Sequence, residues 1–272
     1  MAAADAHCPL CGAAAVTEVG RVRTGAVVRC GACGLGWVDH PNHDDQLYDE
    51  AFFDAFREEE FAEERERTLA LHLETLARLH PPGPELLDVG AALGDFVAMA
   101  ADRGWRATGV EPAATAVAKA EQLGRPVLQG DLDHPDIRAR RFDAIHLSHV
   151  LEHLSDPFEG LRQCVSMLAP GGLLAIEVPN EFDNLFRQAR RVARREGAPD
   201  RLTDEHLWFF NRQTVVRAVT DAGLSPELVR TRNWTPLTSR LLFGDAVKRG
   251  VDRVSRWLGR GEVIEVYARK AR

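Results

Sequence analysis

Two groups of residues in this sequence have the types and spacing that chemistry requires, and the first is a set of cysteines. Four of the five cysteines form two Cys-x2-Cys pairs separated by eighteen residues, at Cys8, Cys11, Cys30 and Cys33. This spacing is typical of a zinc ion held by four thiolates. Two disulfides or a redox-active pair would use the same residues, but the N-terminus lacks the features of a secretory signal, which disfavours disulfides. We therefore predict a structural zinc ion with no ligand position left for catalysis.

The second group consists of histidines beside carboxylates, which suit proton transfer. His149, Glu152 and His153 are spaced i, i+3 and i+4, so they would share one face of a helix. Glu205 and His206 form a second pair further along the chain. Because histidine titrates at about pH 6.5 when unperturbed, His153 and His206 are the leading candidates for a general base, with Glu205 and His149 completing the catalytic set. Each histidine could instead cap a helix or make a hydrogen bond in the core.

The segment before these histidines would position them beside a ligand. An apolar run ends at Asp88, small residues follow over 90–94, and an apolar-periodic segment begins at Asp95. A strand, a tight turn and a helix start of this kind let backbone N–H groups approach a ligand closely. A second strand ends in Glu111, about 20 residues further on, where dinucleotide-type folds keep an acid for ribose hydroxyls.

Strands and helices alternate from residue 85 onward, which predicts an α/β fold. The predicted strands cover 85–89, 106–110, 126–129, 142–147, 173–178, 226–232 and 262–269. The alternation indicates a Rossmann-like, mostly parallel sheet of seven strands with helices on both faces. We divide the chain into a zinc ribbon at 1–40, an acidic helical connector at 41–82 and the core at 83–272, with an inserted helical lid at about 181–212.

Several segments of the core resemble, in the family's order, the motifs of class I S-adenosylmethionine-dependent methyltransferases. They are Asp88–Phe96, Gly109–Pro112, Gly130–Leu132 and Phe142–Leu154, followed by Leu168–Gly172 and a strand. The resemblance covers roughly residues 83–270 and implies a final strand, Val263–Ala268, that runs antiparallel. One position departs from the family pattern, because the turn of the family reads Gly-x-Gly-x-Gly and Ala92 stands at its middle glycine. The added methyl group should leave cofactor binding intact in a slightly tighter pocket.

The resemblance also assigns the cofactor-binding residues of this chain. The full set that it implies is Asp88, Gly90, Ala91, Gly94, Glu111, Pro112, Asp131, Leu132 and Ser148. In this assignment the turn from Gly90 to Gly94 cradles the methionine part of the cofactor, and Glu111 accepts hydrogen bonds from both ribose hydroxyls, as an acceptor-only carboxylate can. Asp131 faces the adenine amino group, and Leu132 packs on the ring.

Resemblance also suggests the acceptor and an alternative use of the histidines. The string Glu-His-Leu-x-Phe-Phe at 205–210 resembles methyltransferases that act on sugars and other small metabolites. We expect O-methylation of a sugar, nucleotide-sugar or secondary metabolite. The alternatives are C- or N-methylation of a related substrate, methylation of RNA that is bound by the ribbon, and a non-catalytic scaffold that binds the cofactor. Quinone-pathway O-methyltransferases bind a divalent ion at Glu-x-x-Glu-His, and this chain reads His149-x-x-Glu152-His153, which keeps a catalytic metal as a further alternative.

Charge and hydropathy narrow the classes of partner. The net charge is −7, yet residues 181–272 contain 19 lysines and arginines against 12 acidic residues. The overall acidity disfavours nucleic acid, and the basic third suits an anionic small-molecule acceptor. No apolar run approaches the 18 or so residues of a membrane span, and we expect a cytoplasmic protein. The amphipathic, arginine-rich segment 181–200 could be a lid, a dimer contact or a membrane-surface helix, and Tyr48 or Phe52 of the connector could touch the acceptor.

Overall fold

The computed structural model describes residues 7–41, 59–81, 85–185, 187–188, 202–233, 250 and 253–272. Its elements are, in chain order, β1 (Val16–Val22), β2 (Gly25–Cys30), β3 (Gly36–Asp39), α1 (Glu59–Leu79), β4 (Glu85–Val89), α2 (Asp95–Ala101), β5 (Arg106–Glu111), α3 (Ala114–Gln122), β6 (Val127–Gln129), α4 (Pro135–Arg138), β7 (Phe142–Ser148), a 3-10 helix (Leu151–His153), α5 (Pro157–Met167), β8 (Leu168–Pro179), β9 (Trp208–Phe209), α6 (Arg212–Asp221), β10 (Leu224–Arg232) and β11 (Val263–Lys270). They form a large sheet flanked by helices and a small sheet at the N-terminal end.

The large sheet has seven strands in the order β10-β11-β8-β7-β4-β5-β6. The pairs from β8 to β6 are parallel, and β11 runs antiparallel to both β8 and β10. The predicted Rossmann-like sheet and its antiparallel last strand are therefore confirmed. The fifth strand is longer than predicted, because β8 already begins at Leu168.

Local sequence explains how these elements begin and why they stay buried. In α5, the Asp156 carboxylate accepts hydrogen bonds from the N–H groups of Phe158 and Glu159, both at 2.9 Å, and Pro157 occupies the first turn. This is the preferred start of a helix, because the cap satisfies N–H groups that have no partner inside the helix. Cys164 lies on the buried face of α5, which fits a core thiol.

The small sheet is four-stranded, in the order β1-β2-β3-β9, and its composition differs from the sequence-based prediction. Strands β3 and β9 were not among the strands predicted from sequence. Strand β9 comes from the segment after β8 and pairs antiparallel with β3, so that Gly36 faces Phe209 and Trp37 faces Trp208. The described residues 202–211 thus contain turns and a strand, where we predicted a helical lid. The ribbon and the insertion that follows β8 therefore share one sheet.

Some predicted features lie outside the described residues, namely Tyr48, Phe52 and the part of the arginine-rich segment at 189–200. Within the part of the chain that the structure describes, no helix combines the length and apolarity needed to cross a bilayer.

Candidate active site

The turn between β4 and α2 has the backbone geometry of a ligand cradle. Gly90 and Gly94 adopt left-handed φ angles of 69° and 73°, and Ala92 also has a positive φ of 46°. A left-handed alanine costs about 1 kcal/mol, which explains why a glycine suits this position better. A Cβ atom built on Gly90 would lie 2.5 Å from Val150, so the turn contacts the segment that follows β7.

Glu111, at the end of β5, is held in place by backbone groups of the core. Its Oε2 accepts a hydrogen bond from the N–H of Ala92 and its Oε1 accepts one from the N–H of Ala113, both at 3.0 Å. Burial raises the pKa of Glu111, although the two N–H groups oppose this shift. Each oxygen retains capacity for a further donor, so the carboxylate is oriented and able to receive two hydroxyls.

The structure places the other predicted cofactor residues at the same edge of the sheet but in different environments. Asp88 is buried, and its Oδ1 lies 2.7 Å from Nδ1 of His146. Asp131 follows β6, is exposed, and accepts a hydrogen bond from the N–H of Asp133 at 2.8 Å. Leu132 is buried and Pro112 is exposed, next to Glu111. Ser148 is the last residue of β7, and its hydroxyl oxygen lies 3.4 Å from Oε1 of Glu177.

His149 is clamped between two carboxylates. It has a positive φ of 54°, its Nδ1 lies 3.1 Å from Oε1 of Glu152, and its Nε2 lies 3.0 Å from Oε1 of Glu177. Burial disfavours the charged imidazolium, but the two carboxylates outweigh burial and raise the pKa of His149 to about 10. Because both nitrogens then carry a proton at neutral pH, this geometry disfavours His149 as a general base.

His153 and His206 face each other, with ring centroids 5.0 Å apart in an edge-to-face arrangement. Nδ1 of His206 lies 2.6 Å from Oε1 of Glu181, and Nδ1 of His153 lies 3.0 Å from the backbone oxygen of Glu205. Burial is the largest cause of a lowered pKa at His153, so its neutral form is favoured. The carboxylate that orients His206 is therefore Glu181, and Glu205 contributes its carbonyl group to this cluster.

Sequence reasoning missed Glu181, although one signal was present. An acid two residues after the last residue of β8 stands at the carboxyl end of a parallel strand, where such sheets bind their ligands. Glu181 is buried, and burial alone would raise the pKa of its carboxyl group. Hydrogen bonding to His206 and other donors outweighs burial, so the net effect is a lowered pKa. Glu181 is therefore ionised at neutral pH.

Glu152 lies at the centre of this cluster and is fully buried. Its Oε1 meets His149, whereas its Oε2 has no hydrogen-bond partner among the described residues. One ligand atom from each of Glu152, His153 and His206 lies within 4.8 Å of the others. The alternative metal set that the sequence left open, His149 with Glu152 and His153, therefore differs from the set that the fold assembles, because His149 turns to Glu177 and His206 takes its place.

A buried chain of side chains connects the two ends of the site, and sequence reasoning did not find it. His72 of α1 contacts His146 at 3.0 Å through its Nδ1 and Glu177 at 3.2 Å through its Nε2. Glu177 also pairs with Arg232 of β10 and with His149. The chain runs from Asp88 to Glu177 across α1, β7 and β8, and it fixes the orientation of the carboxylate that clamps His149.

The four ribbon cysteines converge as predicted. Sγ of Cys8 lies 3.6 Å from Sγ of Cys33, Sγ of Cys11 lies 3.6 Å from Sγ of Cys30, and all four sulfurs lie within 4.8 Å of one another. Tetrahedral thiolates at about 2.3 Å from a zinc ion are about 3.8 Å apart, so the cluster has suitable dimensions. Each Cys-x2-Cys pair forms a tight turn, or knuckle, around its sulfurs. Gly34, which follows the second knuckle, has a left-handed φ of 82° that turns the chain around the sulfurs.

Comparison with known proteins agrees with this geometry. A family model described as a methyltransferase domain matches residues 61–229. The chain is similar to the ubiquinone biosynthesis O-methyltransferase of Xanthomonas axonopodis pv. citri, with 33% identity over 120 residues that cover 42% of this chain and 50% of the relative. The chain thus spans about half the length of the curated relatives it matches.

Solved structures share the fold at low sequence identity. A chain in the complex between the Haloferax volcanii Trm112 methyltransferase activator and a methyltransferase is 18% identical with a TM-score of 0.61, over 83% of this chain and 100% of that chain. A SAM-dependent methyltransferase from Thermotoga maritima is 16% identical with a TM-score of 0.54, over 81% of this chain and 97% of that chain. At these identities the likeness concerns the fold.

Proposed function

The chain belongs to the methyltransferase domain family, and from this premise we propose that it transfers a methyl group from S-adenosylmethionine to a hydroxyl group of a small molecule. One observation carries the proposal. The turn anchored to Glu111 and the cluster of Glu152, His153 and His206 adjoin at one edge of the sheet, and Gly90 touches Val150 between them. Such an edge can hold a cofactor on one side and an acceptor on the other.

The cofactor supplies a methyl group that is already activated on a sulfonium, and the residues present fit it. The proposed contacts are Asp88, Gly90, Ala91, Gly94, Glu111, Pro112, Asp131, Leu132 and Ser148. Glu111 offers two oriented oxygens, and the turn with Gly90 and Gly94 brings backbone N–H groups to the ligand. The work left to the protein is to align the acceptor and to remove its proton.

His206 is the proposed proton acceptor. Its Nδ1–H donates to Glu181, which fixes the ring and the tautomer, so that Nε2 is the basic atom. The carboxylate also stabilises the imidazolium that forms when His206 takes the proton of the acceptor hydroxyl. His153, whose neutral form is favoured by burial, lies beside it and completes the basic side of the cleft. The O-directed assignment is supported by the similarity to ubiquinone biosynthesis O-methyltransferases, and a sugar, nucleotide-sugar or secondary metabolite remains our proposed acceptor class.

The proposal is tested by methyl-label transfer from S-adenosylmethionine to a panel of sugars, nucleotide-sugars, phenols and RNA. We expect a hydroxyl-bearing small molecule to accept the label, and S-adenosylhomocysteine to bind in calorimetry. Label in RNA, or on carbon or nitrogen only, would contradict the O-directed proposal. Cofactor binding without any transfer would favour a non-catalytic scaffold.

A second mechanism is favoured by the unpartnered Oε2 of Glu152. Glu152, His153 and His206 fit a divalent ion chemically, since two imidazoles and a carboxylate suit several transition metals. Such an ion would polarise the acceptor hydroxyl, and His206 would then be a ligand. A chelator that stops turnover while the ribbon keeps its metal would support this mechanism. Unchanged turnover with chelator would leave His206 as the base.

The ribbon is proposed to hold one structural zinc ion on Cys8, Cys11, Cys30 and Cys33, as the sulfur distances support. We expect one equivalent of zinc per chain by mass spectrometry, after purification without chelator. Cys30→Ser should lose the metal, because three thiolates bind it less tightly than four. The matched control is Cys164→Ser, which alters a buried thiol outside the ribbon and should keep one equivalent. Well under one equivalent in the unaltered protein would contradict the proposal.

A further inference from the structure

We infer that the zinc ribbon positions a residue of the acceptor site, because the ribbon holds the 205–209 segment that carries His206. This inference rests on the proposed function, in which His206 takes the acceptor proton. In this view the metal sets the position of a residue with which it has no contact. Loss of zinc should therefore stop turnover while cofactor binding continues.

The backbone of the 205–209 segment lies between the ribbon and the turn that carries Glu152. On the ribbon side, the N–H of Val38 donates to the oxygen of Leu207 at 2.9 Å, and β3 pairs with β9. On the other side, the N–H of Leu207 donates to the oxygen of Glu152 at 2.9 Å, and Nε1 of Trp208 donates to the oxygen of Leu154 at 2.8 Å. The residue directly before Leu207 is His206, so both sets of bonds determine where its ring lies.

Strand β2 of the ribbon is buried on both faces, which is unusual for a free-standing module. Val27 and Val28 are neighbours in β2, so their side chains point to opposite faces, and both are buried. Val27 packs in a cluster with Phe209 of the insertion, together with Val22, Val38 and the partly buried Phe182, Leu202 and Leu207. Val28 packs in the cluster that contains Phe210 and the core. The ribbon therefore fills the space between the insertion and the core.

The second Cys-x2-Cys pair is bonded directly to Asn211, two residues after the same segment. Nδ2 of Asn211 donates to the backbone oxygen of Cys33 at 3.2 Å, and its Oδ1 caps α6 by accepting from the N–H of Thr214 at 2.9 Å. A Cβ atom on Gly34 would lie 2.6 Å from Nδ2 of Asn211. Because the zinc ligands shape this knuckle, they also shape the chain just after the 205–209 segment.

Arg29 of the ribbon reaches the turn that carries the carboxylate partner of His206. Its Nη2 lies 3.2 Å from Oδ1 of Asp183, and its guanidinium lies 4.6 Å from the centroid of the Phe182 ring. Glu181 precedes these two residues. The core also holds this turn, since Nδ2 of Asn180 donates to the oxygen of Gly261 at 2.9 Å. Arg29 is therefore a second anchor, and we assign it as a positioning residue for the pair of Glu181 and His206.

Among the described residues, those proposed to bind the cofactor are not held in place by the ribbon. In the part of the chain that is described, the hydrogen bonds of the Glu111 carboxylate come from Ala92 and Ala113, both in the core. The ribbon inference thus predicts a separation of effects. Damage to the ribbon should reduce kcat and leave the affinity for S-adenosylhomocysteine nearly unchanged.

The first test compares zinc-free and zinc-loaded protein. For Cys30→Ser we expect kcat to fall about 10²-fold or more, as for loss of a positioned base, with the Kd for S-adenosylhomocysteine within about twofold of the unaltered protein. Cys164→Ser is the matched control and should keep kcat. A zinc-free variant that retains kcat would overturn the inference. If Cys30→Ser no longer binds S-adenosylhomocysteine, the ribbon also supports the cofactor cleft, and the separation that we infer is wrong.

The second test keeps the zinc and removes one anchor. We expect Arg29→Ala to lower kcat about tenfold with full zinc content, by analogy with partial loss of base catalysis. Arg21→Ala is the matched control, since Arg21 lies on the same ribbon, is exposed and pairs only weakly at 3.6 Å with Glu18. Equal effects of the two substitutions, or a parallel loss of cofactor affinity, would overturn the assignment.

A spectroscopic measurement separates failure of this inference from failure of the proposed function. The Nδ1–H proton of His206, bonded to Glu181 at 2.6 Å, should give a low-field resonance in ¹⁵N-histidine spectra, assigned by its absence in His206→Gln. We expect it to broaden or move in Arg29→Ala and in zinc-free protein, and to remain in Arg21→Ala. An unchanged resonance in zinc-free protein would contradict the coupling, whether or not an acceptor has been identified.

Discussion

Replacement of His206 by alanine is expected to lower turnover about 10²–10⁴-fold, the usual cost of losing a general base. The affinity for S-adenosylhomocysteine should persist, because the hydrogen bonds that hold Glu111 come from Ala92 and Ala113 in the core. Turnover at saturating cofactor checks the first expectation, and calorimetry with S-adenosylhomocysteine checks the second.

Two comparisons make the His206 experiment specific. His40→Ala changes a histidine on the ribbon surface that is 97% exposed and should leave turnover unchanged. Glu205→Ala should cost far less than His206→Ala, because the contact of Glu205 in the cluster is made by its backbone oxygen, to His153. If His206→Ala stays near the unaltered rate, the acceptor is deprotonated without help, and the role of the cluster is alignment.

Replacement of Glu111 by alanine is expected to weaken cofactor binding about 10²–10⁴-fold. Two charge-assisted hydrogen bonds to ribose hydroxyls would be lost, at about 1.5–3 kcal/mol each, and each 1.4 kcal/mol is about tenfold in affinity. The substitution also releases the N–H groups of Ala92 and Ala113 that shape the turn. Calorimetry with S-adenosylhomocysteine measures the loss, and circular dichroism should show that the fold persists.

The pH dependence of binding provides an independent check on Glu111. Burial raises the pKa of Glu111, so the carboxylate becomes protonated at a higher pH than an ordinary glutamate. Because a protonated carboxyl accepts fewer hydrogen bonds, affinity should weaken as the pH falls through this raised pKa, and the weakening should be absent in Glu111→Ala. Glu121→Ala, on the exposed side of α3, is the control and should bind normally at all pH values. An unchanged affinity in Glu111→Ala would refute the ribose assignment.

The features that sequence predicted correctly are those written in short stretches of chain. The seven-stranded sheet follows from strand–helix alternation, and the left-handed turn follows from Gly90 and Gly94. The convergence of Cys8, Cys11, Cys30 and Cys33 follows from two local knuckles joined by a hairpin. The position of Glu111 beside the turn also follows from sequence, because its distance from the turn is set by one helix and one strand.

The partners of the histidines in the candidate site were decided only by tertiary structure. His206 is oriented by Glu181 rather than by the adjacent Glu205, and His149 is immobilised by Glu177, which lies on the neighbouring strand. Neighbours in sequence point in different directions, whereas side chains from separate elements meet when the sheet packs. The same holds for β9, whose two residues are too few to predict as a strand.

Sequence by itself thus determined the family and the fold, and it predicted the edge that we propose binds the cofactor, since these depend on local pattern and on backbone conformation. Tertiary structure decided that the ribbon and the insertion form one sheet, and that Glu152 is enclosed among three histidines, His149, His153 and His206. The physical reason is that strand pairing between β3 and β9 and the burial of charged side chains depend on contacts between segments far apart in the chain. Composition and spacing along the chain do not encode which of those segments will touch.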